Sequence, residues 1–143
     1  MVADLTTSLT YKDKTVEISR SRPTTIIGER INPTGRKKVL EALQKGEFDI
    51  VRKDALDQVA AGAHVLDVNA GVPGADEPEL LEKVMRTVMD VVDVPLSIDT
   101  ANPEALRRAL EIYPGKALIN SVNGEERSLN TVLPLAKEFG AAV

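Results

Sequence analysis

A chain of 143 residues, 43% hydrophobic and 28% charged, is one folded domain's worth of sequence on a scale of roughly 100–200 residues per domain. Its net charge of −4, from 18 Lys and Arg against 22 Asp and Glu, comes without a basic stripe and sets nucleic-acid binding aside; the absence of Cys and the single histidine, His64, exclude disulfides, cysteine nucleophiles and multi-histidine metal sites. No apolar run approaches the about 18 residues of a membrane span and the first residues do not read as a signal peptide, so a cytoplasmic protein without membrane contact is expected.

Residues 9–18 (LTYKDKTVEI) alternate apolar and polar positions on either side of a polar turn, the pattern of a small hairpin. It is read as a lid over one end of a core, within an N-terminal arm covering residues 1–23. Residues 24–28 (TTIIG) are β-branched and apolar, the composition of a strand buried on both faces. From there a unit of short strand, polar turn and amphipathic helix repeats. Helices are predicted over residues 37–45, stopped by Gly46, and over 49–61, stopped by Gly62. A buried strand follows at 64–68 (HVLDV). Asp76 with Glu79 has the spacing of a capping box, and Pro78 suits a first turn. Leu80, Leu81, Val84, Met85, Val88 and Val92 form that helix's apolar face. A third strand is predicted at 96–98, and Asn102, Pro103 and Glu104 open the next helix as cap, first-turn proline and first-turn acid. A fourth strand covers 117–119 and a fourth helical region 130–139, where Pro134 must lie near the start or kink the helix. Residues 141–143 read as the opening of a fifth strand.

Strands buried on both faces and alternating with helices imply a parallel sheet, and therefore an α/β fold. Two architectures fit, an open doubly wound sheet and a (β/α)8 TIM barrel. A whole barrel takes about 250 residues, so about four units in this length read as a truncated half-barrel over residues 24–143. Unpaired strand edges in such a piece favour self-association, which makes a non-catalytic, self-pairing half-barrel one alternative reading.

In parallel α/β folds ligands gather beyond the carboxyl ends of the strands. The polar residues there are Glu29, Arg30 and Asn32 after the first strand, Asp67 and Asn69 at the second, Ser97, Asp99 and Thr100 at the third, and Asn120 and Ser121 at the fourth. Carboxylates and primary amides without a basic cluster suit a neutral nitrogen heterocycle, since Asp accepts from ring N–H and amino groups while Asn both donates and accepts. Each residue also has a purely structural reading. Asn102 is best read as a helix cap and His64 as a satisfied strand-edge residue; for Asp99 a local turn, for Asp67 a buried hydrogen-bond network, for Asn120 a cap and for Glu29 with Arg30 an ion pair are the alternatives to a ligand role. Nothing in the spacing of Glu29, Asp67 and Asp99 demands a metal, and no protein-bound metal is expected.

Four ordered segments, GERINPTG (28–35), AGAHVLDVNAG (61–71), VPLSIDTANPEA (94–105) and ALINSVNGE (117–125), resemble the pterin-binding barrel family. Within it they are most similar to methyltetrahydrofolate:corrinoid methyltransferases and the folate module of cobalamin-dependent methionine synthase. The dihydropteroate synthase branch, the rival reading, has an Asn-Val-Thr-Pro-Asp-Ser-Phe run and a glycine-rich loop where this chain reads INPTGRKK and NAGVPGADE. The resemblance implies that Asp99 and Asn120 hydrogen-bond a pterin ring, with Asn32, Asp67 and Asn69 contributing directly or through water. It also implies transfer of the N5-methyl group of methyltetrahydrofolate to the Co(I) corrinoid (cobalamin) of a partner protein. Barrels of the family are often dimers, so a homodimer is carried as an expectation. The Asn credited with activating N5, and a further pterin-binding Asp, belong to later strands without counterparts here. This chain alone is therefore expected to hold part of the site and to turn over negligibly.

Overall fold

The computed structural model describes residues 5–143; the first four residues of the expected arm lie outside the described residues. Strands β1 (Thr7–Tyr11) and β2 (Lys14–Ile18) form an antiparallel hairpin in which Tyr11 pairs with Lys14 across the turn. The barrel units follow as β3 (Ile27–Ile31), α1 (Lys37–Gln44), α2 (Asp49–Ala60), β4 (Val65–Val68), α3 (Glu77–Val91), β5 (Leu96–Asp99), α4 (Pro103–Ile112), β6 (Leu118–Asn120) and α5 (Glu126–Phe139). Among the described residues no helix is long and apolar enough to cross a membrane.

Sheet order separates the two architectures. β3, β4, β5 and β6 lie side by side in chain order, every neighbouring pair parallel. Beyond β6, Ala142 continues the ladder: its N–H donates to the Ala117 carbonyl and its carbonyl accepts from Ile119 N–H, each at 2.9 Å. A doubly wound sheet reverses its order at a switch point, whereas a barrel adds each strand beside the last. The doubly wound alternative is thereby excluded, and the fold is a partial (β/α) barrel with an N-terminal hairpin. Each helix packs against the next, α1 on α2 through α4 on α5, as a single outer layer. Leu66, Val68, Leu96, Ile98 and Ile119, all at most 2% exposed, alternate with the polar inner positions and join the same core as Leu81, Val84, Met85 and Leu106. At about 1.5–3 kcal/mol for each fully buried large aliphatic side chain, this layer outweighs any single cap or ion pair.

Local signals set the helix starts. Asp76 accepts from Glu79 N–H at 2.9 Å, although the Glu79 carboxylate turns to Lys83 and leaves the box half closed. Asn102 Oδ1 accepts from the N–H groups of Glu104 (3.0 Å) and Ala105 (3.2 Å), so its side chain is spent as a cap. Asn102→Ala is expected to cost about 1 kcal/mol in urea unfolding. A variant as stable as the parent would contradict that assignment.

Two boundaries differ from expectation by three residues or more. The first barrel strand runs three residues later than 24–28, and Ile26 and Ile27 are 51% and 41% exposed rather than buried. β3 is an edge strand with few faces to fill, so the polar Glu29 and Arg30 are accommodated in it. Gly28 in this strand lies under Gln58 of α2: a Cβ there would stand 2.6 Å from Gln58 Oε1, the atom that accepts from Arg30 N–H at 2.8 Å. The last helix begins at Glu126, four residues before the expected start, so Pro134 falls inside it. Both Pro134 and Asn130, whose carbonyl loses its i+4 partner, are on exposed positions, where water takes the place of that bond.

The hairpin closes the end of the sheet opposite the strand carboxyl termini, as a lid. Thr10 N–H donates to the Lys116 carbonyl (3.1 Å) and Thr10 Oγ1 accepts from Lys116 N–H (2.8 Å). The Tyr113 hydroxyl donates to the Thr10 carbonyl (2.9 Å) and accepts from Leu96 N–H (3.2 Å), while its ring stacks on Tyr11 at 5.5 Å. Burial pushes the Tyr113 hydroxyl up to about 12, so it remains a neutral donor at physiological pH.

Candidate functional site

The polar ends of β4, β5 and β6 converge because the parallel register aligns them. Asp67 pairs with Ser97 and Asp99 with Asn120, so these side chains project to the inner face, and Asn69 follows two residues after Asp67. Asp67 Oδ1 accepts from Ser97 Oγ at 2.6 Å and from Asn120 Nδ2 at 3.1 Å. Asn69 Nδ2 donates to Asp99 Oδ2 at 3.0 Å, and its own Oδ1 is held by Gly71 N–H at 2.8 Å. The peptide joining Asn120 to Ser121 is cis.

The electrostatics follow from depth. Asp67 is 5% exposed and Ser97 1%. Burial raises the Asp67 carboxyl above its ordinary value of 3.8; the hydrogen bonds from Ser97 and Asn120 pull it back, while the charges of Asp99 and Glu29 push it further up. Neither Asp67 Oδ2, Asp99 Oδ1 nor Asn120 Oδ1 receives a hydrogen bond from a described residue, and among the described residues no fully buried polar side-chain atom lacks a partner. Three acceptors and the second Asn120 N–H are thus available at the mouth, an arrangement suited to a planar ring carrying N–H donors and ring acceptors. A cleft of about 350 Å³ opens from Asp99 and Asn120 between the β5–α4 and β6–α5 loops, and reaches Asn123, Arg127 and Ser128.

Of the residues singled out from sequence, Asp67, Asn69, Asp99 and Asn120 form this cluster. Asn32 does not hydrogen-bond to it: its Oδ1 accepts from Thr34 N–H at 2.8 Å in a local turn beyond β3. His64 lies before β4, at the opposite end, where its Nδ1 accepts from Ile26 N–H at 3.0 Å. Glu29 and Arg30 do not pair with each other. Arg30 Nε instead lies 3.7 Å from Asp54, and Arg36 bonds both Asp54 and the Arg30 carbonyl. This bracket of buried Asp54 and Gln58 with half-buried Arg36 fixes the mouth end of β3, and the sequence reading missed it because α2 reads as a simple amphipathic helix. Ser97, noted at the end of the third strand but given no role there, donates to Asp67, and its i, i+2 relation to Asp99 places both on one face. Among the described residues no group of three or more His, Asp or Glu side chains is arranged to hold a metal ion.

Comparison with known proteins gives the ancestry. Residues 28–143 match the model of a family described as pterin binding enzyme. A methylcorrinoid:tetrahydrofolate methyltransferase from Eubacterium limosum is 36% identical over 110 residues, covering 77% of this chain and 40% of that protein. Methionine synthase from Mycobacterium tuberculosis is 31% identical over 123 residues, 82% of this chain and 10% of that protein. The crystal structure of Burkholderia cenocepacia dihydropteroate synthase superposes with a TM-score of 0.55 at 22% identity, over 90% of this chain and 40% of that one, a likeness of fold alone. The chain therefore spans under half the length of these relatives. With the match running from β3 to the last residue, through every strand end that carries the acid–amide cluster, the chain belongs to the pterin binding enzyme family.

Proposed function

We propose that the mouth formed by Asp67, Asn69, Asp99 and Asn120 binds the pterin ring of a folate, and that the chain takes part in moving a methyl group between N5-methyltetrahydrofolate and the cobalt of a corrinoid (cobalamin) carried by a partner protein. One observation carries this reading: two buried or half-buried carboxylates, each bonded to a primary amide, offer free acceptors side by side at the ends of adjacent parallel strands. The name of one relative, methylcorrinoid:tetrahydrofolate methyltransferase, agrees with it and is written in the direction from methylcorrinoid to tetrahydrofolate. A transfer reaction runs both ways over one barrier, so the same ring site serves either direction.

In this reading Asp99 accepts from ring N–H or amino groups, and Asn120 spans a donor and an acceptor edge. Asp67 steadies Asn120 and adds its free oxygen, Asn69 orients Asp99, and Asn32 contributes through its amide nitrogen or a bridging water. In this reading the corrinoid is carried by the partner; the one imidazole of this chain, His64, accepts from Ile26 N–H at the opposite end of the sheet. When bound there, the corrinoid supplies the cobalt that gives or takes the methyl group. N5, a tertiary amine in the methylated folate, departs only as it gains a proton or a strong hydrogen bond. The described cluster positions the ring for that event and holds part of the site.

Asp99→Asn removes a charged acceptor while keeping the side chain's size. It is expected to weaken binding of N5-methyltetrahydrofolate by about 1–3 kcal/mol, roughly 5- to 150-fold, in isothermal titration calorimetry. An unchanged dissociation constant overturns the assignment.

A further inference from the structure

The cleft does not end at the ring-binding cluster. It continues from Asp99 and Asn120 along the β6–α5 loop to the first turns of α5, where Arg127 is the one cation on its lining. The loop that presents Arg127 is tied down: Asn123 N–H donates to Ser128 Oγ at 3.0 Å, and Asn123 Oδ1 accepts from Glu125 N–H at 2.9 Å. Thr131 Oγ1 donates to the Arg127 carbonyl at 2.8 Å. The Arg127 guanidinium itself makes no hydrogen bond or ion pair with any described residue. The neighbouring arginines on α4 differ, since Arg107 is bidentate with Glu138 and Arg108 pairs with Glu82. A planar, always charged fork on the lining of a ligand cleft, without an acid partner, suits a carboxylate.

Resting on the pterin reading above, we infer that Arg127 receives the glutamate carboxylates of the folate tail, so that the cleft selects tail-bearing folates over bare pterins. The ring sits on Asp99 and Asn120, and the tail runs along the cleft past Ser121 to Arg127. Glu125, on the same lining, opposes a second negative charge and limits how much acidic tail the cleft takes.

The test compares two ligands on the same chain by saturation-transfer NMR, which reads weak binding. The ligands are N5-methyltetrahydrofolate and an N5-methyltetrahydropterin that lacks the benzoyl-glutamate tail. The parent chain is expected to bind the tailed ligand roughly five- to tenfold more tightly, an advantage that shrinks as salt screens the pair. Arg127→Gln removes the advantage and leaves bare-pterin affinity unchanged, and Arg127→Lys, which keeps the charge, restores part of it. Equal affinity of the parent for both ligands, or a loss in Arg127→Gln that is the same for both, overturns the inference while leaving the ring assignment standing. If the bare pterin fails to bind, the ring assignment itself falls.

Discussion

Asp67→Asn is expected to weaken pterin binding by about 1.5–3 kcal/mol, roughly 10- to 150-fold, while leaving the fold intact. Both hydrogen bonds to Asp67, from Ser97 and from Asn120, end on the same oxygen, Oδ1. An asparagine with its carbonyl oxygen in that place keeps both. What disappears is the free charged oxygen facing the mouth. The pH dependence supplies the control. Because burial raises the Asp67 carboxyl above 3.8, ionising it is harder in the folded chain than in the unfolded one. The folded state thus binds the proton more tightly, and this stabilising term is complete below 3.8 and is lost as pH rises through the raised value. The asparagine variant has no such loss. Thermal unfolding from acid to neutral pH should show the variant gaining on the parent as pH increases. A variant that falls behind with rising pH would contradict the burial-driven shift.

Gly115→Ala is expected to cost about 2–4 kcal/mol, a large share of the about 5–15 kcal/mol that holds a typical domain together. A Cβ at Gly115 would stand 2.1 Å from the Thr10 carbonyl oxygen and 2.9 Å from its carbon, so the hairpin backbone must move. Moving it strains the paired bonds between Thr10 and Lys116 and the Tyr113 bond to the Thr10 carbonyl. Hydrogen exchange at Thr10 and Lys116 should rise steeply, with little change at the side-chain amides of Asn69 and Asn120 at the other end of the sheet. Unaltered stability and exchange would mean that the hairpin does not close the sheet as described.

The alternation of short apolar strands with amphipathic helices was legible because most barrel helices carry an apolar face and most are bounded by side-chain caps, prolines or glycines. Asp76, Asn102, Gly46 and Gly62 mark their boundaries through local chemistry that needs no tertiary context. The strand ends were legible for the same reason: a carboxylate or amide closing a run of Val, Leu and Ile has few places to go. Boundaries failed where neighbours decide. β3 extends through Glu29 and Arg30 because an edge strand leaves them exposed, which the residues alone do not state. Pro134 sits inside α5 because its carbonyl partner faces water. The bracket of Asp54, Gln58 and Arg36 joins residues from two elements and is invisible to periodicity. Asn32 shares the strand-end pattern of the cluster residues, but the turn to Thr34 uses its acceptor locally. The self-pairing half-barrel reading differs from the pterin reading in what the mouth binds, so ligand binding separates them.

The most direct measurement follows the side-chain amide resonances of Asn69 and Asn120 in ¹⁵N-labelled chain during titration with N5-methyltetrahydrofolate. Both signals are expected to shift together and saturably, and Asp99→Asn should move the midpoint of the titration to roughly 5- to 150-fold higher ligand concentration. Amides at the mouth that stay fixed while the ligand binds, or a response confined to the hairpin end around Thr10 and Lys116, would contradict the account.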